Sequence, residues 1–309
     1  MVFTSPEVFK WQNKMKEICG LLLAGGNGTR LSPLTNVVNK HFLPIYDKPM
    51  IYYSISTLMI AGIRDIALIS RPQDQKSFHR LFGDGSDLGL NIEYIIQPEP
   101  RGIPQAYILA EKFINNRNVV MTLGDNLFIG QGLGENLQPQ KKIKGIKVFA
   151  FPVRNPQDYG VVEIDHKTGK VLSIEEKPTN PKSKYAIPGL YFSDSSVIEI
   201  SKNLKPSKRD ELEMVDLIKN YLDRDQLEVE YFRRGIGWLD TGSVESLYDA
   251  NDFIALMQKR LGLRFGCPEE IAFRLGWIDT QQLQNNINKM GSTDYRKYLE
   301  TIILEEIAN

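Results

Sequence analysis

Short apolar segments that end in glycine or polar residues recur along the first part of the chain. The first, Ile-Cys-Gly-Leu-Leu-Leu at 18–23, has no polar residue at any position, as in a strand buried on both faces of a parallel sheet. Further strands are predicted at Asp65–Ser70, Asn91–Ile96 and Asn118–Leu123. Segments with helical spacing lie between the strands, at 50–61, 73–82 and 104–113. This alternation predicts βαβ units.

Beyond residue 146 the pattern changes to extended segments joined by turns. Such segments are predicted at 147–153, 159–165, 170–176 and 186–192, with a hairpin turn at 166–169 that includes His166. Helical spacing returns at 213–222 and again from Val244 to the end of the chain. The patterns together predict an α/β fold with a Rossmann-like, mostly parallel central sheet flanked by helices, an antiparallel insertion and a C-terminal helical segment.

The chain is predicted to divide into three regions: an N-terminal extension at 1–17, a main domain at 18–243 and a helical segment at 244–309. The extension carries lysines and aromatic residues but lacks the apolar stretch of a signal peptide. No run of about 18 apolar residues occurs, so no transmembrane helix is expected. The two cysteines, Cys19 and Cys267, lie in apolar or helical contexts, which suits reduced thiols in a cytoplasmic protein.

Charge excludes some classes of partner. Lysine plus arginine equals aspartate plus glutamate at 38 each, so no broad electrostatic field favours nucleic acid or an anionic membrane. An anionic ligand must therefore be bound by a local site.

One such site is predicted in the glycine-rich segment that follows the first strand, Leu-Ala-Gly-Gly-Asn-Gly-Thr-Arg at 23–30. The glycines let backbone N–H groups approach an anion, and Thr29 and Arg30 add a hydroxyl and a guanidinium. The segment is not a Walker A motif, and Leu31 stands where the dinucleotide fingerprint has its third glycine. Phosphate is the predicted ligand, although the glycines alone also fit a plain strand-to-helix turn.

Two aspartates are candidate metal ligands. Asp125 follows the predicted strand Asn118–Leu123, and Asp240 lies in a Leu-Asp-Thr-Gly segment that is predicted to be a tight turn. Either could be a solvated turn residue, but the carboxyl end of a parallel strand faces the crevice where α/β proteins bind ligands. Two such carboxylates suit one Mg²⁺, which prefers oxygen ligands.

Longer motifs give the sequence a family resemblance. They are LAGGNGTRL at 23–31, NKHFLPIYDKPMIYY at 39–53, GDN at 124–126, YGVVE at 159–163, EEKP at 175–178, GLYF at 189–192, GWLDTG at 237–242 and CPEEIAF at 267–273. In this order they resemble the bacterial glucose-1-phosphate thymidylyltransferases, within the sugar nucleotidylyltransferase family. The likeness extends from Ile18 to about Asp279.

The resemblance implies an activity and its residues. The implied reaction transfers a nucleoside monophosphate from dTTP to glucose 1-phosphate, giving dTDP-glucose and pyrophosphate, the first step of dTDP-deoxysugar (rhamnose-type) biosynthesis. The implied catalytic residues are Arg30, Lys40, Asp125, Lys177 and Asp240, with Mg²⁺ on Asp125 and Asp240. The implied nucleotide-binding residues are Leu23, Gly25, Gly26, Asn27, Gly28, Thr29, Arg30, Lys40, His41, Gln97, Gly102 and Asp125. The implied sugar-binding residues, in the antiparallel insertion and beside it, are Asn126, Tyr159, Gly160, Glu176, Lys177, Ile187 and Tyr191.

Three departures from the family pattern leave the substrates open. His41 stands where the family commonly has glutamine, Arg101 where it has aspartate, and Pro188 where threonine is common. The alternatives are therefore a uridylyltransferase, an enzyme for another hexose 1-phosphate, or a catalytically silent regulatory protein that binds nucleotide sugars. The segment 267–278 resembles the family's region for subunit contacts and a second nucleotide site, which implies a homotetramer and feedback inhibition by a dTDP-sugar.

Overall fold

The computed structural model describes residues 17–137, 143–165 and 167–308. Nearly all of the predicted N-terminal extension, and His166 of the predicted hairpin turn, lie outside these residues. The strands are β1 (Ile18–Ala24), β2 (Pro44–Ile45), β3 (Lys48–Pro49), β4 (Asp65–Ser70), β5 (Asn91–Ile96), β6 (Asn118–Leu123), β7 (Asn126–Ile129), β8 (Ile146–Pro152), β9 (Gly160–Ile164), β10 (Val171–Glu176), β11 (Tyr185–Ala186), β12 (Leu190–Ser193), β13 (Leu227–Tyr231) and β14 (Gly237–Asp240).

The α-helices lie on the faces of the sheet and at the C-terminal end of the chain. They are α1 (Ile51–Ile60), α2 (Gln75–Phe82), α3 (Gln105–Leu109), α4 (Glu111–Ile114), α5 (Leu133–Leu137), α6 (Val197–Lys202), α7 (Met214–Leu222), α8 (Val244–Leu261), α9 (Pro268–Arg274), α10 (Thr280–Asn288) and α11 (Asp294–Ala308). Among the described residues, no helix is both long enough and apolar enough to cross a bilayer.

The parallel core predicted from the apolar segments is confirmed. Strands β6, β1, β4 and β5 lie side by side and pair in parallel, with Leu22 beside both Leu68 and Thr122. β1 is buried along nearly its whole length because helices cover both faces of the sheet, and this accounts for its lack of polar alternation. The carboxyl ends of these strands therefore meet at one edge of the sheet.

The antiparallel strands continue this sheet instead of forming a separate layer. β12 pairs antiparallel with both β6 and β8, and the sheet goes on through β11 and β9 to β10. β9 and β10 pair antiparallel, with Ile164 opposite Val171, as the predicted hairpin requires. β13, which the sequence analysis did not predict, pairs parallel with β8. One mixed sheet of ten strands thus carries both parts of the main domain.

A second small sheet corrects the expectation of a tight turn at Asp240. β7 and β14 form an antiparallel pair in which Asp240 lies opposite Asn126. Thr241, the next residue, donates from both its backbone N–H (3.1 Å) and its hydroxyl (2.8 Å) to the carbonyl of Asp125. Asp240 is therefore the last residue of a strand, and these bonds bring it beside Asp125.

The helical predictions hold with two differences. The helix expected at 104–113 is divided into α3 and α4 at Ala110. The region after Val244 is helical as expected, and α8 begins with a capping box between Ser243 and Ser246. Within α8 the apolar side chain of Phe253 is 40% exposed whereas that of Ile254 is buried, so the apolar residues of this helix do not all face the core. Cys19 and Cys267 are both buried free thiols.

Candidate active site

A cleft opens where the parallel strands end and faces the antiparallel strands, the usual position of ligand sites in open α/β sheets. Eleven of the predicted site residues line it: Arg30, Gly102, Asp125, Asn126, Tyr159, Gly160, Glu176, Lys177, Ile187, Tyr191 and Asp240. Lys40 reaches the same place by an ion pair to Asp125. The fold therefore brings together side chains that are more than 200 residues apart in sequence.

The glycine-rich loop curls over Lys40 immediately after β1. Gly28 has a φ of 63° and begins a 3₁₀ turn at Thr29–Leu31, a conformation that favours glycine. A Cβ on Gly28 would lie 2.9 Å from Thr35 and 3.2 Å from the Lys40 side chain, and one on Gly26 would lie 3.5 Å from the Lys40 amine. The backbone of the loop is thus held close to a cation. Asn27, Thr29 and Arg30 are the exposed residues of the loop, and the side-chain oxygen of Asn27 accepts from Arg71 at 3.4 Å.

Arg30 extends from the loop to the turn after β14. A Cβ on Gly242 would lie only 2.5 Å from an Nη atom of Arg30 and 3.3 Å from the Asp240 carboxylate. Glycine at 242 thus leaves the space that the guanidinium occupies. This places a permanent positive charge beside the second aspartate.

Lys40 and Asp125 form a buried ion pair at the floor of the cleft. Asp125 is 8% exposed, and its other carboxylate oxygen accepts from Asn126 at 3.1 Å. Burial raises the pKa of Asp125, but the charge of the Lys40 ammonium and the hydrogen bonds from Lys40 and Asn126 together hold that pKa well below its usual range. Asp125 is therefore a carboxylate at any pH at which the protein works.

Asp240 is in the opposite situation. Burial, and then the neighbouring Asp125 carboxylate, raise the pKa of Asp240 to about 6, against the opposing charges of Arg30, Lys40 and Lys177. Within the described part of the chain, no residue makes a hydrogen bond or ion pair to its carboxylate. Two neighbouring carboxylates of which one lacks a partner form a donor set that fits a hard divalent cation.

Asn39 fixes the segment that carries Lys40. Its amide donates to the carbonyl of Ala24 (3.2 Å) and to Asp74 (2.7 Å), and its oxygen accepts from the backbone N–H of His41 (2.9 Å). Asp74 in turn pairs with Arg71 at 2.7 Å. These bonds join the end of β1, the turn of Lys40 and the turn after β4. They leave Lys40 little freedom to move.

His41 supports this segment and does not line the cleft. Its ring is 1% exposed, its Nδ1 lies 2.6 Å from the Asn39 oxygen, and a Cβ on Gly124 would lie 2.5 Å from the ring. Burial, and then the charge of Lys40, lower the pKa of His41 to about 3, so the imidazole is neutral. A direct contact of His41 with nucleotide stays a prediction, and the ring is positioned to hold the backbone around Lys40 and Asp125.

Gln97 and Gly102 lie together beyond the loop. Gln97 is 2% exposed, and its oxygen would lie 1.8 Å from a Cβ on Gly25, so the amide packs directly against the first glycine of the loop. Gly102 has a φ of 96° and forms a bridge with Leu212, whose carbonyl would be 2.1 Å from a Cβ at 102. Leu23, in β1, and Gly25, which follows this strand, lie nearby but are not among the residues that line the cleft. Leu23 accepts from the N–H of Gly124 at 2.9 Å.

The side-chain oxygen of Asn126 accepts two hydrogen bonds, both from other residues of the protein. That oxygen accepts from the indole of Trp238 (2.7 Å) and from the N–H of Gly189 (2.9 Å), while its amide donates to Asp125. The geometry gives Asn126 a clear part in orienting Asp125. Its contact with a sugar stays a prediction.

The far wall of the cleft is built by β9, β10 and the segment before α7. Lys177 follows β10 with a φ of 43°, strained for a residue with a side chain, and its N–H donates to the carbonyl of Tyr159 at 3.0 Å. Burial raises the pKa of Glu176, against the opposing charge of Lys177, and Arg209 donates to Glu176 at 3.3 Å. Arg209 also pairs with Glu213 at 2.8 Å. Opposite charges thus alternate along this wall.

Several lining residues were missed by the sequence analysis. They are Ile103, Leu123, Asp158, Gly189, Arg209, Glu211, Leu212, Glu213, Met214, Val215, Ile218 and Trp238. Gly189 and Trp238 lie inside motifs that had been noted, GLYF and GWLDTG, without being assigned to the site. Arg209 lies in an exposed polar turn that no local pattern distinguishes from other surface turns.

Comparison with known proteins agrees with this geometry. The model of the nucleotidyl transferase family matches residues 19–256. A glucose-1-phosphate thymidylyltransferase of Mycolicibacterium smegmatis is 50% identical over 93% of this chain and 99% of its own length. The enzyme of the same name from Neisseria meningitidis is 49% identical over 91% and 97% of the two chains.

Solved structures give the same result for the fold. The structure described as a putative glucose-1-phosphate thymidylyltransferase from Bacillus anthracis in complex with a sucrose superposes with a TM-score of 0.70 at 38% identity, over 76% of this chain and 94% of that one. A UDP-glucose pyrophosphorylase complexed with UDP-glucose superposes with a TM-score of 0.69 at 25% identity, over 79% of this chain and 100% of that one.

Proposed function

Because the chain belongs to the nucleotidyl transferase family, we propose that it is a thymidylyltransferase that joins dTTP and glucose 1-phosphate into dTDP-glucose and pyrophosphate. The observation that carries the proposal is the cleft itself. One end holds Arg30, Lys40 and two neighbouring carboxylates beside a glycine-rich loop, and the other holds Lys177 and Glu176. This arrangement suits two phosphate-bearing substrates that meet in the middle.

The reaction is an in-line displacement at phosphorus. A phosphate oxygen of glucose 1-phosphate attacks the α-phosphorus of dTTP, the new P–O bond forms, and the bond to the β-phosphate oxygen breaks with pyrophosphate as the leaving group. A phosphate monoester already carries a nucleophilic oxygen near neutral pH, so the protein needs no general base. Catalysis then depends on positioning and on neutralising charge.

The residues divide these tasks according to where they lie. The loop amides and Arg30 bind the triphosphate, and Lys40 is held at the α-phosphate by its ion pair with Asp125. Lys177 binds the phosphate of the sugar 1-phosphate. The hydrogen bond from its N–H to the carbonyl of Tyr159 holds its strained backbone in place for this contact. Glu176 accepts hydrogen bonds from sugar hydroxyls. The two phosphates are thereby held at one point without a covalent intermediate.

Asp125 and Asp240 hold the divalent metal, for which Mg²⁺ is the proposed ion. When bound, Mg²⁺ supplies positive charge to the phosphate oxygens that become more negative during transfer. The low pKa of Asp125 keeps it ionised, and the lone carboxylate of Asp240 gains a partner.

A substrate panel tests the assignment. Pyrophosphate release is measured with glucose 1-phosphate and dTTP, with UTP in place of dTTP, and with galactose and mannose 1-phosphates, each with Mg²⁺ and with EDTA. We expect dTTP and glucose 1-phosphate to give the highest kcat/KM, with UTP lower by about 10- to 100-fold, because UTP lacks the C5 methyl group of thymine and carries a 2′-hydroxyl that dTTP lacks. Turnover of UTP at or above that of dTTP would overturn the thymidine assignment.

The quaternary structure is a homotetramer in this proposal, and a dTDP-sugar acts as feedback inhibitor at a second site near Cys267 and α9. Exposed apolar side chains on α8, among them Tyr248 (62%) and Leu256 (55%), support a subunit contact. Size-exclusion chromatography with light scattering tests the assembly. Inhibition by dTDP-rhamnose that is not relieved by excess dTTP tests the second site.

A further inference from the structure

Gln97 carries a buried hydrogen-bond acceptor that has no partner. Its side chain is 2% exposed, and its oxygen is one of the buried polar atoms for which the described residues supply no donor. A buried acceptor without a donor is unfavourable, and a ligand that donates a hydrogen bond to it would remove that cost. The oxygen lies against Gly25 of the glycine-rich loop and fills the volume that a Cβ at this position would occupy.

The nitrogen of the same Gln97 amide, in contrast, has a hydrogen-bond partner. The nitrogen of Gln97 donates to the side-chain oxygen of Gln105 at 2.8 Å, and that oxygen also accepts from the backbone N–H of Arg101 at 2.9 Å. Gln105 thus lies between a main-chain donor and the Gln97 amide.

The direction of this chain of bonds is fixed by its main-chain end. A backbone N–H can only donate, so Gln105 must present its oxygen to Arg101. An oxygen can only accept, so Gln97 must present its nitrogen to Gln105, and its own oxygen then points to the other side. The Arg101 backbone cannot easily turn away, because its carbonyl accepts from the N–H of Leu212 at 2.9 Å in the bridge beside Gly102.

We propose that Gln105 is a positioning residue that holds the Gln97 amide with its oxygen toward the base, so that the site selects pyrimidines with an N3–H donor and rejects cytosine. This inference rests on the proposed function. Thymine and uracil carry a hydrogen on N3, whereas N3 of cytosine is an acceptor and would face another acceptor. Without Gln105 the amide can turn over and offer its nitrogen to cytosine.

The test compares dUTP with dCTP, which differ only at N3 and C4 of the base. Pyrophosphate release with glucose 1-phosphate is measured for the wild-type protein, Gln105→Met, which keeps the length of the side chain, and Gln105→Glu, which keeps an acceptor. We expect the wild type to favour dUTP by at least about 100-fold in kcat/KM, because a mispaired hydrogen-bonding group is strongly rejected. Gln105→Met should lower that ratio about tenfold or more, mainly through KM, and Gln105→Glu should keep it.

Controls separate this role from a structural one. Gln281→Met removes a similar amide pair, with Asn285 on exposed α10, and should change neither nucleotide. If Gln105→Met lowers activity equally with dUTP and dCTP, or if the wild type does not distinguish them, the inference is wrong although the proposed function stands. If the wild type turns over no pyrimidine nucleotide, the proposed function itself fails. Should Gln105→Met not fold, Gln105→Ala replaces it.

Discussion

The two sides of the cleft are held by different kinds of interaction. On the glycine-loop side, which comprises residues 25–30 with Asn39, Lys40, His41 and Asp74, the polar contacts are buried and Asn39 alone joins three segments. On the antiparallel side, which comprises Glu176, Lys177, Arg209 and Glu213, the side chain of Arg209, which pairs with both glutamates, is 46% exposed. Buried networks rigidify a site, whereas half-exposed ion pairs contribute up to about 1 kcal/mol each.

This difference assigns the two sides different tasks. The triphosphate is the same in every nucleoside triphosphate, and a preformed cradle for it costs no reorganisation during the reaction. The sugar partner is distinguished by its hydroxyl groups, and side chains with free rotamers can adjust to them. We therefore expect substitutions on the glycine-loop side to lower kcat and stability, and those on the antiparallel side to raise the KM of the sugar 1-phosphate.

The largest effect is expected from Asp125→Asn. The substitution removes the partner of Lys40 and one of the two metal-binding carboxylates, so kcat should fall by about 10³-fold or more while the fold is retained. Stopped-time pyrophosphate assays measure kcat, and circular dichroism checks the fold. Asp65→Asn is the matched control. It breaks the ion pair between Asp65 and Arg117 (2.8 Å) at the amino end of β4, whereas the cleft lies at the carboxyl ends of the parallel strands. A kcat for Asp125→Asn within tenfold of the wild type would remove this residue from the metal site.

Asn39→Ala tests whether the glycine-loop side is rigid because of its buried bonds. The change leaves the N–H of His41 without a partner and removes one of the two partners of Asp74, which keeps Arg71, so we expect a loss of about 3 kcal/mol in the free energy of unfolding, measured in urea. The kcat should fall as well, because Lys40 loses its support. Asn91→Ala, at an exposed amide on β5, serves as control and should cost little. An equally small loss for Asn39→Ala would mean that packing, not the network, holds this side.

The sequence identified the glycine-loop side far better than the antiparallel side. The glycine loop and Asp125 follow the apolar strands β1 and β6, and the predicted bounds of β4, β5 and β6 agree with the structure, whereas Lys40 lies in a short turn and was named from its motif. Such strands are signalled locally, and the carboxyl ends of parallel strands meet by topology.

The antiparallel side depends on contacts that no local pattern reveals. Arg209 reaches Glu176 across 33 residues of sequence from an exposed turn. Asp240 was expected in a turn because a strand of only four residues, such as β14, can be identified only once its pairing with β7 is known. The bond from Trp238 to Asn126 belongs to the same pairing, so it too becomes visible only in the folded chain.

The neutral state of His41 predicts a pH dependence of stability. With the pKa of His41 about 3 in the folded protein and 6.5 in the unfolded chain, protons bind the unfolded state preferentially as the pH falls below 6.5. Between pH 7 and pH 5 the His41 contribution should lower the free energy of unfolding by about 2 kcal/mol, measured in urea as the difference between the wild type and His41→Gln, because the raised pKa of Asp240 acts in the opposite direction over this range. The loss should disappear in His41→Gln and persist in His79→Gln, whose side chain is exposed on α2. A persistent loss in His41→Gln would place the effect in other groups.

The smallest effect is expected from Arg209→Ala, and it bears most directly on whether the two sides are independent. Glu176 loses a donor at 3.3 Å and Glu213 a partner at 2.8 Å, so the KM for glucose 1-phosphate should rise about tenfold, with kcat and the KM for dTTP nearly unchanged. Arg296→Ala, which breaks another (i, i+4) pair at 2.8 Å on α11, is the matched control. Steady-state kinetics with each substrate varied in turn measure both KM values. If the KM for dTTP rises equally, the bridge from Leu212 to Gly102 transmits the change, and the two sides act as one unit.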